Sequence, residues 1–570
     1  MKASDAIAVY LSKHNVTDCF EMIGGMITHV VDSFAQHGAF SIISMHHEQS
    51  AAFAAEGISR KNKGKSLGLA MATSGPGATN LITGIGNCWF DSIPCLFITG
   101  QVNTSELKGD RPIRQQGFQE LDIVSLVRPI TKYAFKVMSS KDILPELHKA
   151  LTESLSGRQG PVLLDIPNNI QREEIPDEIV DEWAKKSIER LSIKEIDPDQ
   201  IAQLKFMCSE AQKPLFLIGG GAKWSSRIGD AITSLIKIDV PYISTLMGQE
   251  NLNWSDNYFG MVGTYGNRTA NYAIQNCDLL IVVGSRLDIR QTGSNIEDFA
   301  RHAKIVQIDI DAGQINNRIH SNLSINVSSD QFFKQCQFDI SSFPLLSFDW
   351  TSRLKADLKK TFIDEYFDWK MSPFRMFQEI NSTFHGQELD FVCDVGNHQM
   401  WAATCLRLNE NQAIHHSGGM AAMGFALPTA IGISAISKGK TVVLTGDGSL
   451  QVNIQELDTL VRIGSNILII VFNNQSLGMV KNFQDMYFEG RNQSSKLGYS
   501  CPSFSRVAES FGIESYIVYD DETFRDILSK VKALNYPVLI EVIMEYATEC
   551  RPRLLFGNTI DKQSPLINHS

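Results

Sequence analysis

The sequence lacks several features that assign a chain quickly to a class. Its ten cysteines include no C-x-x-C pair, which argues against a zinc site or a redox pair. Its longest apolar runs, such as 278–283, are far too short to span a bilayer. The net charge is −11 and no long basic run is present, so nucleic acid or an anionic membrane is not expected as the main partner. The first residues read as an amphipathic helix and not as a signal peptide, so we expect a soluble cytoplasmic protein.

The chain has ample material for several packed domains. It contains 570 residues, of which 43% are hydrophobic and 20% charged. Short apolar runs alternate with helical patterns in three blocks, which predicts an α/β protein with three doubly wound parallel-sheet domains. The predicted domains span 1–170, 190–335 and 365–550. Charged or polar connectors are expected between them, and an irregular tail at 551–570.

The third block contains the most specific pattern. TVVLTGDGS (441–449) predicts a strand followed by a glycine turn, and ILIIVFNNQS (467–476) predicts the next strand. A helical crossover between them places Asp447 and Asn474 at the same end of adjacent parallel strands. A carboxylate and an amide oxygen suit Mg²⁺, and flanking glycines let the backbone approach a diphosphate. A plain βαβ unit with a polar loop is the alternative for either motif alone.

This arrangement resembles the diphosphate-binding motif of thiamine-diphosphate (ThDP) enzymes. The resemblance implies that Asp447, Asn474 and the carbonyl of Ser476 hold Mg²⁺. The segment DVGNHQMWAA (394–403) resembles the loop that contacts the diphosphate in that family. The residues implied to bind the diphosphate are Asn397, His398, Gly446, Gly448 and Ser449.

The segment SGGMAAMGFALPTAIG (417–432) is small and apolar. It resembles the family segment that runs beneath the thiazolium ring. The resemblance implies that Met423 bends the cofactor and that the carbonyl of Ala421 accepts a hydrogen bond from its 4′-amino group. A methionine in such a run is otherwise a core residue.

The first block contains a candidate catalytic acid. Glu48 falls in the first turn of a predicted helix, where the helix dipole alone would favour it. Together with the turn TSGPGATN, which contains Thr73 and Gly75, the segment HEQSAAFAAEG resembles the pyrimidine-binding domain of ThDP enzymes. The resemblance implies that Glu48 hydrogen-bonds N1′ of the aminopyrimidine of a cofactor held by a second chain. A homodimer or a dimer of dimers is therefore expected.

The remaining motifs resemble the acetohydroxyacid (acetolactate) synthases. In IRQQGFQELDIV, Phe118 and Gln119 correspond to residues that line the substrate channel. The middle block resembles the FAD-binding domain of that group, in which the flavin takes no net part in the reaction. The residues implied to bind FAD are Gly219, Gly220, Arg286, Arg290 and Asp309. Surface salt bridges remain an alternative role for the two arginines.

The resemblance implies a carboligase that decarboxylates pyruvate and transfers the acetyl unit to an acceptor carbonyl. The sequence departs from the family at Asn168, usually Lys, at Phe483, usually Trp, and in the tail. These positions, together with Met479, are expected to shape acceptor selectivity. The departures favour a bulkier acceptor, and the main hypothesis is a nucleotide-linked keto-deoxysugar of surface-polysaccharide synthesis. The alternative is an acetolactate synthase with a 2-oxo acid acceptor; a pyruvate oxidase or a 2-oxo acid decarboxylase ranks below both.

Overall fold

The computed structural model describes residues 1–189, 194–250, 252–361 and 364–566. Three six-stranded sheets organise the chain, and every strand pair within them is parallel. This confirms the α/β class and the three doubly wound sheets. Helices cover both faces of such sheets, so the strands are apolar almost throughout.

The first sheet has the strand order β2-β1-β3-β4-β6-β5. Its strands are β1 Asp18–Met22, β2 Ser41–Ser44, β3 Gly68–Ala72, β4 Cys95–Gln101, β5 Tyr133–Lys136 and β6 Val162–Pro167. The accompanying helices are α1 Ala3–Lys13, α2 Thr28–His37, α3 Glu48–Lys61, α4 Pro76–Asn80, α5 Ile82–Asp91, α6 Ile123–Val127, α7 Ser140–Leu155, α8 Asn168–Gln171 and α9 Asp177–Ala184.

The second sheet has the order β12-β11-β10-β7-β8-β9. Its strands are β7 Pro214–Ile218, β8 Tyr242–Ser244, β9 Tyr258–Met261, β10 Leu279–Val283, β11 Lys304–Ile308 and β12 Leu323–Ile325. Its helices are α10 Pro198–Glu210, α11 Ile228–Lys237, α12 Arg268–Asn276, α13 Ile289–Thr292, α14 Ser329–Gln335 and α15 Phe348–Thr361.

The third sheet, β14-β13-β15-β16-β18-β17, repeats the strand order of the first. Its strands are β13 Leu389–Cys393, β14 Gln412–His416, β15 Lys440–Gly446, β16 Ile467–Asn473, β17 Glu514–Val518 and β18 Val538–Ile543. Its helices are α16 Pro373–Thr383, α17 Asn397–Cys405, α18 Ala426–Ile436, α19 Asp447–Val452, α20 Glu456–Ile463, α21 Gly478–Tyr487, α22 Phe504–Ser510 and α23 Asp521–Val531. The tail adds a short antiparallel pair, β19 Arg553–Leu554 and β20 Gln563–Ser564.

The segments expected to be connectors are partly helical. Helix α9 packs on α1, and its Val180 is fully buried. Helix α15 places Trp350 and Leu354 in the core beside the second sheet. In both helices a few apolar residues lie on one face, and that face suffices for docking although the segment as a whole is polar. Residues 190–193, where the second domain was expected to begin, lie outside the described residues.

The tail is not irregular throughout. The amide of Leu554 donates to the carbonyl of Thr264 (2.7 Å), and the side-chain amide of Gln563 donates to the carbonyl of Gly266 (2.8 Å). The tail therefore runs along the middle domain. Its last residues, 567–570, lie outside the described part of the chain.

Within the described residues, no helix combines the length and the apolar character that crossing a membrane requires.

The first and third domains meet through helices α3 and α18, which approach closely at two glycines. A Cβ atom on Gly57 would lie 2.4 Å from the carbonyl oxygen of Thr429, and one on Gly432 would lie 2.0 Å from that of Ala54. Only hydrogen fits at these points, so the glycines set the distance between the two domains.

We expect Gly432→Ala to destabilise the protein by about 1–3 kcal/mol, because the added methyl group would overlap backbone that cannot move alone. Urea unfolding followed by tryptophan fluorescence measures the effect. Gly229→Ala is the matched control, since it lies in helix α11 with open space around its α-carbon. Equal stability of the Gly432→Ala variant and the wild type would contradict the close approach.

Candidate functional site

Asp447 and Asn474 lie at the same edge of the third sheet. Asp447 follows β15 directly and Asn474 follows β16, and these strands are parallel neighbours. The amide of Ser476 donates to Oδ2 of Asp447 (3.1 Å) and to Oδ1 of Asn474 (3.2 Å), so both side-chain oxygens face one point. Burial raises the pKa of Asp447 to about 6. A divalent cation beside this carboxylate would offset the cost of burying its charge.

Two buried side chains next to this corner have unused hydrogen-bonding atoms. Oδ1 and Nδ2 of Asn397 and Nε2 of His398 have no hydrogen-bond partner among the described residues. Burial lowers the pKa of His398 to about 3, so its imidazole is neutral at ordinary pH. Asn397 begins helix α17, and the backbone amides in the first turn of a helix favour a bound anion. Buried polar atoms of this kind are costly unless a ligand pairs with them, so they fit a bound diphosphate.

The turn after β15 forms another side of this candidate diphosphate site. The hydroxyl of Ser449 donates to the carbonyl of Val395 (2.8 Å) and ties the turn to the loop before α17. The α-carbon of Gly446 faces the ring of His398, since a Cβ on this glycine would lie 3.0 Å from Cε1 of the ring. Gly448 leaves room for a methionine, since a Cβ there would lie 3.2 Å from Cε of Met423. The structure therefore brings together the predicted diphosphate, metal and Met423 positions.

The segment 417–426 is held in an unusual backbone conformation. Ala421 has φ +54°, in the left-handed region that a residue with a side chain rarely adopts. The segment is fixed at its far end by Asp394, whose carboxylate accepts from the amides of Gly424 (3.0 Å) and Ala426 (2.9 Å). Strained residues that the surroundings hold in place are typical of binding and catalytic sites.

The first domain contributes a separate group of candidate residues. Glu48 begins α3 and is 6% exposed, and its Oε2 accepts from Nδ2 of Asn80 (2.9 Å). The hydroxyl oxygen of Thr73 accepts from the amide of Met26 (3.3 Å). Gly75 lies against Gln119, and both have positive φ, +62° and +63°. These residues lie together beyond the carboxyl end of β3.

Two further predicted residues lie near this group on the surface. Phe118 is 79% exposed beside Gln119. Asn168 begins α8 and is half-buried, and its side-chain amide reaches the carbonyl of Gly25 at 3.5 Å. On the third domain, Met479 packs partly against the core, whereas Phe483 is 51% exposed and contacts the ring of Tyr487.

The group in the first domain and the group in the third have no direct polar contact in the described part of the chain: no hydrogen bond or ion pair joins Glu48 or Gln119 to Asp447, Asn474 or Met423. The residues around Glu48 and those around Asp447 are named the two half-sites.

A cavity of about 690 Å³ lies where the three domains meet. Four of the five predicted flavin residues line it: Gly220, Arg286, Arg290 and Asp309. Gly219 lies next to it, with its α-carbon packed against the backbone of Gly284. Arg286 also forms an ion pair with Asp288 at 3.2 Å, which is the alternative role expected for this arginine. Burial raises the pKa of Asp309. The volume is in the range of a cofactor site.

Sequence reasoning missed several residues that build these sites. Asp394 follows β13 as Asp447 follows β15, so an acid at a strand end was a usable signal. Asn87 and Asp91, one turn apart on α5, contact the 417–426 segment across the domain boundary. Polar residues inside an otherwise apolar helix were the only signal for that pair.

Comparison with known proteins gives matches along most of the chain. Family models described as "Thiamine pyrophosphate enzyme" match here, the N-terminal TPP binding domain at 1–126, the central domain at 201–335 and the C-terminal TPP binding domain at 394–542. The acetolactate synthase large subunit of Cyanidium caldarium is 32% identical over 577 residues, covering 97% of this chain and 95% of that protein. The large subunit of Escherichia coli acetolactate synthase isozyme 2 is 32% identical over 549 residues, covering 96% of each chain.

We expect Asp447→Asn to weaken Mg²⁺-dependent ThDP binding by about tenfold or more, since loss of even an outer-shell partner of a metal costs that much. Quenching of tryptophan fluorescence on titration with ThDP and Mg²⁺ measures the affinity. Asp526→Asn, on the exposed face of α23 in the same domain, is the control. Unchanged affinity in the Asp447→Asn variant would remove this residue from the metal site.

Proposed function

The chain belongs to the family of thiamine-diphosphate-dependent enzymes, and we propose that it is an acetolactate-synthase-type carboligase. It would decarboxylate pyruvate and join the two-carbon acetyl unit to a second 2-oxo acid. The observation that carries the proposal is the corner of Asp447 and Asn474 beside the unpartnered atoms of Asn397 and His398. Its chemistry fits a metal-bound diphosphate, and relatives aligned over nearly the whole chain are named acetolactate synthases.

The hypothesis of a ketosugar acceptor gains no support from the comparisons. The relatives at 32% identity carry the name of the alternative, acetolactate synthase. Of the two positions that suggested a larger acceptor, Asn168 is half-buried and Phe483 is exposed, and neither lines the interdomain cavity. A 2-oxo acid is therefore the better-supported acceptor.

Roles for the residues of the third domain follow from their placement. Asp447, Asn474 and the carbonyl of Ser476 would bind Mg²⁺, and the Asn397, His398 and Ser449 region would bind the diphosphate. When bound, the thiazolium of ThDP supplies the carbon nucleophile that allows a 2-oxo acid to lose CO₂ and its acetyl unit to be passed on. Met423 would fix the bend of the cofactor, and the Ala421 carbonyl would accept from its 4′-amino group.

The first-domain half-site would complete the active site in a dimer. Glu48 would hold a proton at N1′ of the aminopyrimidine, and Phe118 and Gln119 would border the substrate and exclude water. No hydrogen bond or ion pair joins the two half-sites among the described residues, and each would pair with the other half-site of a second copy. The 79% exposure of Phe118 is consistent with its burial in such an interface. A homodimer would be the minimal active unit, with a dimer of dimers also compatible.

FAD is the proposed occupant of the interdomain cavity. Its arginines, Arg286 and Arg290, suit a pyrophosphate, and the glycine backbone near Gly220 permits close approach. Asp309 suits a ribose hydroxyl. The flavin would have a structural role, so its presence does not imply an oxidase.

Product analysis tests the function. We expect the purified protein with ThDP, Mg²⁺, FAD and pyruvate alone to form acetolactate, with the flavin remaining oxidised. Glu48→Gln serves as the inactive control. A CDP-linked 4-keto-deoxysugar in the mixture should leave the product unchanged. Mass spectrometry and flavin absorbance give the readouts.

Each contrary outcome identifies another activity. A sugar product heavier by an acetyl unit plus hydrogen would restore the ketosugar hypothesis. Acetaldehyde released without an acceptor would indicate a decarboxylase, and pyruvate-dependent flavin bleaching would indicate an oxidase.

The flavin assignment has its own test. We expect Arg286→Ala to weaken FAD binding by about tenfold, because a charge-assisted hydrogen bond to phosphate is lost. Flavin fluorescence on titration of flavin-free protein measures the affinity. Arg353→Ala, exposed on α15, is the control. Equal affinity in both variants would place the dinucleotide elsewhere.

A further inference from the structure

The 417–426 segment belongs to the third domain but lies on helix α5 of the first. The hydroxyl of Ser417 donates to Oδ1 of Asn87 (2.6 Å). The amides of Gly418 and Gly419 donate to Oδ2 (3.3 Å) and Oδ1 (2.7 Å) of Asp91. The two α5 residues are one helical turn apart, so they present adjacent polar groups to the start of the segment.

Close packing reinforces these hydrogen bonds. A Cβ on Gly419 would lie 2.7 Å from Cβ of Phe90, and one on Gly86 would lie 2.8 Å from the sulfur of Met420. The contacts on α5 therefore involve four residues of one face: Gly86, Asn87, Phe90 and Asp91.

Ser417 also forms a hydrogen bond within the segment, next to its strained residue. Its hydroxyl oxygen accepts from the amide of Ala422 (3.1 Å), and Ala422 directly follows Ala421, which has φ +54°. The hydroxyl thus joins Asn87 on one side to the backbone beside Ala421 on the other. Because Met423 comes next, its place depends on the same connection.

The side chains of Asn87 and Asp91 are held in turn by two residues of helix α3, Glu56 and Arg60. Nδ2 of Asn87 donates to both carboxylate oxygens of Glu56 (2.9 and 2.8 Å), so its Oδ1 must face Ser417. Nη2 of Arg60 donates to Oδ2 of Asp91 (2.6 Å). All of these side chains are buried, so water does not compete for the hydrogen bonds.

We propose that Asn87 and Asp91 are positioning residues that hold the Ala421 carbonyl and the Met423 side chain in place for the cofactor. The proposal rests on the proposed function for what the segment does, but its structural core concerns the free protein. A purely stabilising role would leave the segment's conformation intact when one of these hydrogen bonds is removed.

Two variants test the connection. Asp91→Asn must keep its single carbonyl oxygen at the Oδ2 position, toward Arg60, which places its NH₂ group at the Oδ1 position and removes the acceptor of the Gly419 amide. Gly418 donates to Oδ2 and keeps its acceptor. Ser417→Ala removes only the hydroxyl between Asn87 and Ala422, so it remains informative if the first variant folds poorly.

Hydrogen exchange of the cofactor-free protein is the primary measurement. We expect the amide of Gly419 to exchange about tenfold faster or more in Asp91→Asn, and that of Ala422 in Ser417→Ala, since each loses its acceptor. Mass spectrometry with residue-level fragmentation reports these sites.

Asp390→Asn and Ser434→Ala are the matched controls. Asp390 is another buried acid that links the first and third domains, through Lys61 (2.7 Å) and His415 (3.1 Å), without touching the segment. Ser434 donates to a carbonyl within α18. Unchanged exchange at 417–426 in the test variants, or equal acceleration in the controls, would overturn the proposal.

A second readout separates positioning from stability. With ThDP and Mg²⁺ bound, Ser417→Ala should lower kcat for pyruvate consumption about tenfold with little change in KM, and should alter the near-ultraviolet circular dichroism of the bound aminopyrimidine. A wild-type circular dichroism spectrum in the variant would count against the proposal. Failure of the wild type to form acetolactate would instead overturn the proposed function and leave the exchange result standing.

Discussion

One guanidinium group, that of Arg60, pairs with acids of the first and middle domains and lies 5.2 Å from the ring centroid of Phe425 in the third. It donates to Glu56 on its own helix, to Asp91 on α5 and to Glu250 of the middle domain, each at 2.6 Å. Its side chain is fully buried, as are those partners to within a few per cent. Burial by itself would lower the pKa of Arg60, but Glu56, Glu250 and Asp91 outweigh it and raise that pKa. The group is therefore a permanent cation, and separating the middle domain from it would leave charge uncompensated in the interior.

The buried cluster around Arg60 contains more carboxylates than cations, and the pKa values of its carboxylates are shifted in opposite directions. Lys223 pairs with Glu250 at 2.9 Å, so two cations face three carboxylates. Burial raises the pKa of Glu56. Burial also opposes ionisation of Glu250, but Lys223 and Arg60 outweigh it and lower its pKa to about 2. Glu56 thus takes up a proton more readily than Glu250, and it is also the acid that the neutral amide of Asn87 contacts.

The strands and the strand-end motifs could be predicted from the sequence because they depend on local patterns. An apolar run followed by GDG or NN specifies a buried parallel strand and a polar turn, and the structure places Asp447 and Asn474 at one edge accordingly. Long-range pairing leaves no such pattern. Arg60 reads as an ordinary residue of a helix C-terminus, and nothing near it in sequence indicates Glu250. The packing of α15 through Trp350 could not be predicted either, because a segment that is polar overall needs only one apolar face to pack against the core.

Several unfavourable features lie at the edges where the half-sites lie. Gln119, Ala421 and Gln475 have left-handed backbone, and polar atoms of Asn397 and His398 are buried without partners among the described residues. Each feature costs folding free energy of order 1–3 kcal/mol. Elsewhere the same chain pairs its buried charges closely, as Arg60 demonstrates. The features beside Asp447 and Glu48 lie where a bound ligand would satisfy the unpaired polar atoms, whereas the buried ion pairs around Arg60 satisfy one another within the protein.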